Sequence, residues 1–516
     1  MKYLFKTILL LVSALLIFSP TVRSQTAGDA FFADNQIHEI RFNFSQPGFL
    51  DSLKTNYTLD QYMRCDLEVD GVAYPSCGVK YKGNSSYNNQ GKKKPFRIDF
   101  EEYVDSQEVD GLEKLVLNNA FKDPTLLREK LMLDFLNDHG IAAPRASFAR
   151  LYLNGYYWGL YSVVEDVNKT FLKDRFENKG GNLFKGDPHG TLTWKGADPS
   201  LYMADYELKT NETENDWSDL VQLLNALNNT PSAQLADSLD QHLNLDSWFS
   251  YWAAHNLFVN LDSYIGSGHN YFLYHNKDTD KFEWTTWDVN EAFGNFNMGL
   301  SLANLKTLAI GYIPNPANQR PMMNRLWQDP SLQKRLADRL CALLDDFDNA
   351  HLDARIDALA NLIRPAVQAD TLKFYSNTLF EQNLSQDVNI GGGPGGGNIA
   401  GLKAFVTARH NSLEQQLAGF GCSLSGVSNA FDGTQIKLSP NPFGENLSLS
   451  YSSEKEETLL LTWANLSGQT VLTETLQVQK GMNEWQPALP IMTGMYFLTI
   501  AGETGKWTQK VVRTGF

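Results

Sequence analysis

The spacing of apolar residues changes period twice along this chain, and few architectures accommodate both changes. Between Ile37 and about Phe100 apolar positions alternate, at 40–44, 65–69, 78–81 and 95–100, the period-two pattern of half-buried strands. Asp70-Gly71 is a favoured hairpin dipeptide among them. A helix is predicted over 124–138, with Asp123 as N-cap, Pro124 at N1, Gly140 near its end and Leu126, Leu127, Leu131, Leu133 and Phe135 on one face. Strands return at 146–153 and 158–164 around the turn Asn154-Gly155. Leu332, Leu336, Leu340 and Leu343 then recur at helical spacing, and 352–363 and 404–417 read the same way. From about Gly426 the texture reverts to short strands, at 436–438, 447–451, 458–463, 469–472, 495–500 and 508–512. Strands before helices predict an α+β fold, β-rich in its N-terminal part and helical in its C-terminal part, followed by a small β-sandwich. The expected divisions are a main domain at 25–425, a linker at 426–436 and the sandwich at 437–516. The glycine run 391–397 reads as a turned or flexible loop, because no Lys-Ser/Thr follows it as a phosphate cradle requires.

Lys2 and Lys6, the apolar stretch 8–18 and the triplet Val22-Arg23-Ser24 read as a secretory signal peptide over 1–24. That stretch is short for a bilayer span and no second one follows, so no transmembrane segment is expected. With 44 Lys plus Arg against 59 Asp plus Glu the net charge is −15; loss of Lys2, Lys6 and Arg23 with the leader takes it to −18. Such acidity disfavours a nucleic-acid partner, whose phosphates require cations, and leaves acidic clusters for a divalent cation. The 30 Phe, 11 Trp and 21 Tyr exceed the demand of one ordinary core, leaving some to form platforms for a planar ligand. Export makes disulfides available to the four cysteines. Cys65 and Cys77 fall within one residue of register about Asp70-Gly71, so a 65–77 bridge is expected with 341–422 as the remainder; separate free thiols are the alternative. No CxxC or Cys/His spacing indicates zinc.

Hydrolase signatures such as GxSxG and HExxH are missing, as are Walker A, HRDxxxxN and DFG. His255 and His269 read as packing or hydrogen-bonding groups. The densest set of acids, amides and aromatics is 260–274 with 282–294. Two strands joined by a hairpin would bring Asn270 and Asp288 together, with Asp262 on a glycine-containing loop before the first. Such a set suits a hard cation with a base beside it; the alternative is that Asp262 and Asp288 only cap turns. A second cluster runs from Lys80 through Gly83, Asn84 and Ser85 to Lys92, Lys93, Lys94 and Arg97. Its turn and basic returning strand could close over phosphates, or be a solvated hairpin tip.

KGNSS at 82–86, KKKPFRIDF at 92–100, the long segment 127–176, GNLFKGD at 181–187 and NLDS with HNYFLYHNKDTDKFEWTTWDVNEAFG at 260–294 resemble the spore-coat-protein-H (CotH) kinase family, over about 37–420. The resemblance implies a divergent protein-kinase-like catalytic domain that transfers phosphate from ATP to Ser or Thr of a protein acceptor, using Mg²⁺ or Mn²⁺. By position it puts Gly83, Asn84 and Ser85 in the phosphate-covering loop and makes Lys94 or Arg97 the strand cation. Arg128 and Glu129 become candidates for its helix-borne partner. Val163, Val164 and Glu165 would edge the adenine, and Trp287 would stack on it. Asp262 matches the catalytic aspartate, and Asp288 and Asn270 the metal ligands. The family's WDxD reads Trp287-Asp288-Val289-Asn290 here, so an amide stands at the second metal position, where Glu291 is placed to compensate. Two other functions compete: a non-catalytic surface adhesion or binding protein on this scaffold, and a nucleotide-binding pseudokinase.

The C-terminal segment has its own resemblance. LSPNPF at 438–443, NLSGQ at 465–469, GMYFL at 494–498 and the stretch 506–513 are similar to the type A sorting domain of the type IX secretion system of Bacteroidetes. This implies handling by that machinery and a cell-surface or secreted destination. Deletion of 437–516 is expected to leave the protein in the periplasm, since the leader still drives inner-membrane export. Normal surface appearance in a fractionation or surface-labelling experiment would overturn the sorting assignment.

Overall fold

The computed structural model describes residues 26–33, 36–391, 397–422, 436–441, 443–453, 455–464, 470–490, 494–502 and 505–513. The expected leader, nearly all of the expected linker, the middle of the glycine run and the 465–469 motif lie outside them. The chain divides into two compact units, 1–343 with 347–413, and 344–346 with 414–516.

In the first unit seven strands close a barrel: β1 (Ile37–Asn43), β2 (Met63–Val69), β3 (Val72–Tyr81), β4 (Phe96–Asp99), β5 (Lys114–Asn118), β6 (Ala146–Leu153) and β7 (Tyr156–Glu165). Their order is β1-β2-β3-β4-β5-β7-β6, and parallel pairing of β1 with β6 completes the ring. The alternation seen in sequence is the barrel's inside and outside. Met63, Cys65, Leu67 and Val69 of β2 point into the core with Ile40, Phe42, Val79, Phe96, Ile98 and Leu117, while residues between them face out. Asp70 and Gly71 both take positive φ, 49° and 83°, the type I′ geometry that suits a two-residue hairpin.

Two expectations are corrected here. The helix predicted from Pro124 begins at Arg128 (α1, Arg128–Asp138). Leu127, not Asp123, is the N-cap; Asp123 braces the turn before it, with Oδ1 accepting from Thr125 N at 2.9 Å and Oδ2 from Arg128 N at 3.0 Å. Leu126, at φ +59°, breaks the right-handed path between those contacts. Cys65 and Cys77 face each other across β2 and β3 yet are free thiols. Cys65 Sγ donates to Asp66 O and Cys77 Sγ to Tyr74 O, and Gln107 Nε2 donates to Cys77 Sγ at 3.1 Å. Burial raises both thiols, Cys77 to about 12, which leaves them protonated and poorly reactive in the folded barrel. Cys341 and Cys422 are disulfide-bonded.

A second sheet, ordered β11-β10-β8-β9, comprises β8 (Leu183–Lys185), β9 (Glu207–Leu208), β10 (Tyr271–Asn276) and β11 (Lys281–Thr286). Against it lies α2 (Leu245–Leu257), started by the Asn244 side chain, which accepts from Asp246 N and Ser247 N. Trp248, Tyr251, Trp252, Tyr264, Tyr271 and Trp284 interlock here fully buried, with Trp284 stacked on Tyr271 at 4.5 Å between centroids. Much of the aromatic excess therefore fills this core rather than forming open platforms. The helical part includes α3 (Pro330–Leu344), α4 (Asn349–Ala369) and α5 (Leu402–Ala418). Arg409 of α5 is wholly buried and donates to Leu257 O, Asn256 O and Asn256 Oδ1. It thus satisfies the C-terminal end of α2 just before the Asp262 loop. No described helix is long and apolar enough to cross a membrane.

The second unit holds a three-stranded and a four-stranded antiparallel sheet that share one core, including Leu449, Tyr451, Leu461, Trp463, Leu498 and Ile500.

Lys93, in the basic run, does not reach solvent. Its ammonium meets Asp370 Oδ2 at 2.7 Å, each side chain 1% exposed, and also donates to Leu160 O. Removing one member strands a buried charge, so Asp370→Ala is expected to cost about 3–5 kcal/mol in chemical denaturation. A loss below about 1 kcal/mol, the range of exposed pairs, would contradict the buried-pair reading.

Candidate functional site

The ends of β3, β5 and β11 and the first turn of α1 open onto one cleft, lined by Lys82, Asn118, Glu129, Val164, Trp287 and Asp288. Lys82 comes directly after β3, and its ammonium donates to Asn118 Oδ1 at 3.1 Å. Asn118, the last residue of β5, donates through Nδ2 to Glu129 Oε1 at 2.8 Å and Oε2 at 3.0 Å. A lysine and a glutamate from separate elements are thereby linked through one amide. The Lys82 ammonium also lies 5.4 Å from the centroid of the Trp287 ring, which Phe272 meets edge-on.

The opposite side is built by the loop between α2 and β10 and by the exit of β11. His255 is buried and held neutral, burial pushing it down to about 3. It accepts from Asn260 Nδ2 at 3.3 Å, so its Nε2–H donates to Thr286 Oγ1 at 2.7 Å. This ties the start of the Asp262 loop to the residue two before Asp288. Tyr271 pairs with Thr286, which sets Asn270 beside Trp287. Asn270 Nδ2 donates to Asp262 O at 2.9 Å. Asp262 Oδ1 lies 2.8 Å from His269 Nε2 and accepts from Ser267 Oγ at 3.2 Å. Val259, Asn270, Asp288 and Phe293 all have φ between 48° and 60°. For Asn and Asp that conformation is tolerable; for Val259 it is a true outlier, of the kind that concentrates at functional loops.

Negative charge is crowded here. Burial raises Glu129 to about 7, helped by Asp288 and opposed by Asn118 and Lys82. Burial likewise raises Asp288, with Lys82 opposing and Asp262 adding. Glu291 rises to about 7 through burial and the Asp262 charge; its Oε1 takes Lys122 at 2.9 Å, while the buried Oε2 has no hydrogen-bond partner. Burial lowers Lys82 against the pull of Asp288.

The sequence profile of the CotH kinase protein family matches residues 79–412, which contain every one of these side chains. The chain belongs to the CotH kinase protein family. The profile of a secretion system C-terminal sorting domain matches 437–514 and assigns the chain to type IX export toward the cell surface. Inner spore coat protein H of Bacillus subtilis (strain 168) is 28% identical over 303 residues, covering 57% of this chain and 78% of that protein. Invasin CotH3 of Rhizopus delemar is 23% identical over 324 residues, 58% of this chain and 53% of that protein. Spore coat protein homolog 1 of the same organism is 25% identical over 350 residues, 63% and 54%. The chain thus spans about half the length of these Rhizopus relatives.

In this CotH kinase domain the residues singled out by sequence fall into two sets. Glu129, Val164, Trp287 and Asp288 line the cleft, with Asp262, Asn270 and the half-buried Asn290 on its adjoining loops. Gly83, Asn84 and Ser85 lie exposed beside Lys82. Gly83 has φ +79°, and a Cβ there would come 2.4 Å from Ser86 Oγ, so this turn requires glycine. The others point elsewhere. Lys94 donates to Tyr87 O and Asn89 O, Arg97 pairs with Asp166 at 2.8 Å, and Glu165 binds Arg145 and Arg175. Arg128 is buried against Asp123, Asn383 and Ala400. The cation in the cleft is Lys82, the first residue of KGNSS, which sequence reasoning passed over in favour of the basic run. Asn118 escaped too, although the apolar run Leu115-Val116-Leu117 before it marks a strand end. Lys185 and Asp187 of GNLFKGD form an ion pair close enough to influence Asp288 and His269. Among the described residues no group of three or more His, Cys, Asp or Glu is gathered to hold a metal ion. Any cation would take mixed carboxylate and amide oxygens.

A carboxyl raised from 4.5 to about 7 binds more protons folded than unfolded between those values, so stability falls as pH rises through that window. Glu129→Gln is expected to flatten this part of a melting-temperature profile for the nucleotide-free protein. An unchanged slope would show that Glu129 is not the group responsible.

Proposed function

We propose that the chain is an exported phosphotransferase on a divergent protein-kinase-like scaffold, its catalytic part within 25–425 and its sorting part at 437–516. It transfers phosphate from ATP to Ser or Thr of a protein acceptor with Mg²⁺. The observation that carries this is the Lys82–Asn118–Glu129 relay, in the same cleft as Asp288. A half-buried cation anchored through an amide to a helix-borne acid is a device for holding phosphate charge.

The donor set fits a hard divalent ion: Asp288 supplies a carboxylate, and Asn270 spends its Nδ2 on Asp262 O, leaving its carbonyl oxygen to coordinate. Asn290 offers a second carbonyl oxygen. The crowding of Asp262, Asp288 and Glu291 is relieved by a bound cation. Bound Mg·ATP supplies the phosphoryl group and neutralises charge that develops on it. Gly83, Asn84 and Ser85 cover the phosphates, Lys82 neutralises them, and Val164 and Trp287 wall the base. Asp262 takes the proton of the acceptor hydroxyl as its oxygen bonds to phosphorus and the bond to the leaving diphosphate breaks.

A second reading is a surface-binding protein or nucleotide-binding pseudokinase on the same scaffold. Asn290 in place of an acid favours it, as does the name invasin carried by a Rhizopus relative. Radiolabelled ATP with Mg²⁺ or Mn²⁺ separates the readings: label entering the chain itself or a generic acceptor supports transfer, and neither transfer nor nucleotide binding supports adhesion.

Three variants test the roles. Asp288→Asn is expected to weaken Mg·ATP binding strongly, read by thermal shift through linkage. Asp262→Asn should leave binding nearly intact and lower transfer by about 10²–10⁴-fold. Asn290→Asp should tighten Mg²⁺. If all three match wild type in both assays, the cluster only caps turns.

A further inference from the structure

We propose that His269 is a positioning residue for Asp262: it holds one carboxylate oxygen so that the other is presented to the acceptor hydroxyl. This rests on the phosphotransferase reading above. His269 Nε2 lies 2.8 Å from Asp262 Oδ1, and Ser267 Oγ donates to the same oxygen at 3.2 Å. Asn270 Nδ2 holds the Asp262 backbone carbonyl at 2.9 Å. Among the described residues none hydrogen-bonds Oδ2. Asp262 is therefore fixed at its backbone and one oxygen, with the other left to accept a proton.

The imidazole has support of its own. His269 Nδ1 lies 4.0 Å from Asp187 Oδ1, and Lys185 holds the other Asp187 oxygen. A line Lys185–Asp187–His269–Asp262 thus runs from the end of β8 to the Asp262 loop, with the Asp187 carboxylate facing the far side of the ring. At 29% exposure the ring is half-buried, open enough on one side to face the site. A histidine needed only for packing would not require carboxylates on both of its ring nitrogens.

The sequence suggests nothing of this role. His269 immediately precedes Asn270 and shows no ligand spacing with another histidine, so it reads as a packing or hydrogen-bonding group with no partner named. Only the fold of the loop, which returns position 269 over position 262, makes the pair.

The test uses the full mature chain with Mg·ATP and a generic protein acceptor. His269→Leu removes the donor at similar volume; His269→Gln keeps an amide N–H able to reach Asp262 Oδ1. His269→Leu is expected to lower kcat by about 10²-fold, the cost of a misplaced reacting group, with KM for ATP and calorimetric Mg·ATP affinity unchanged. His269→Gln should recover most of the loss. A His269→Leu enzyme with wild-type kcat overturns the proposal, as does one losing kcat, ATP affinity and melting temperature together, because that pattern belongs to a structural histidine. If His269→Leu does not fold, a His269→Gln enzyme with kcat reduced 10²-fold overturns it and one with near-wild-type kcat supports it. A wild-type chain that binds Mg·ATP but transfers nothing overturns the phosphotransferase reading and this inference with it. An active wild type beside an indifferent His269→Leu overturns this inference alone.

Discussion

The Arg128 guanidinium, wholly buried, donates to Asp123, to Thr125 Oγ1 at 3.1 Å, to Asn383 Oδ1 at 2.9 Å and to Ala400 O, joining the barrel's exit loop to the chain's late helical segments. The loop leading into it contains three non-glycine residues in left-handed conformation, Ala120, Lys122 and Leu126. Such conformations cost of order 1–3 kcal/mol each and persist only when the surroundings over-determine them. Here the surroundings are Arg128 itself, Asp123 at the helix start, and Asn119, which donates to Ser86 O and Lys93 O. With the loop pinned, the next residue, Glu129, is delivered to Asn118, and through it to Lys82. The reach of the cleft's relay is set by a neighbour that never enters the cleft.

Charge is handled in opposite ways on the two sides of this anchor. Arg409 is a buried cation without a carboxylate among its contacts, satisfied by the oxygens of Asn256 and Leu257 at a helix end and by Leu308 O, and burial lowers it to about 9. The cleft gathers Glu129, Asp288 and Glu291, each raised by burial, with Lys82 and Lys122 opposing. The first arrangement completes a scaffold, because every donor has a fitting acceptor. The second leaves one buried Glu291 oxygen without a hydrogen-bond partner and holds its carboxyl groups above their usual range, a perturbation of the kind that concentrates at functional sites.

Much of this was legible in sequence wherever one local rule decided the outcome. Alternation found β2 and the β6–β7 hairpin, Asp70-Gly71 found a turn, and leucine spacing found α3. The pairing of the two strands whose ends precede Asp288 and follow Asn270 was also legible locally, from the hairpin between them. What escaped depended on partners distant in sequence. Nothing around Pro124 announces that Leu126 turns left-handed, because the cause lies with Arg128 and its contacts at Asn383 and Ala400. Among Lys80, Lys82, Lys92, Lys93, Lys94 and Arg97 the residue types are nearly equivalent. Only the closed barrel sorts them, sending Lys82 to the cleft, Lys93 to Asp370, Lys94 to loop carbonyls and Arg97 to Asp166.

The pairing of Lys93 with Asp370 spans 277 residues. During synthesis the barrel strands are complete long before Asp370 exists, and until then the Lys93 ammonium has no counter-ion and keeps its water, because the segment that covers it has not yet been made. Lys93 acquires its counter-ion only when the segment at the end of α4 arrives beside β7, so the charge balance at this end of the barrel waits on the C-terminal helices.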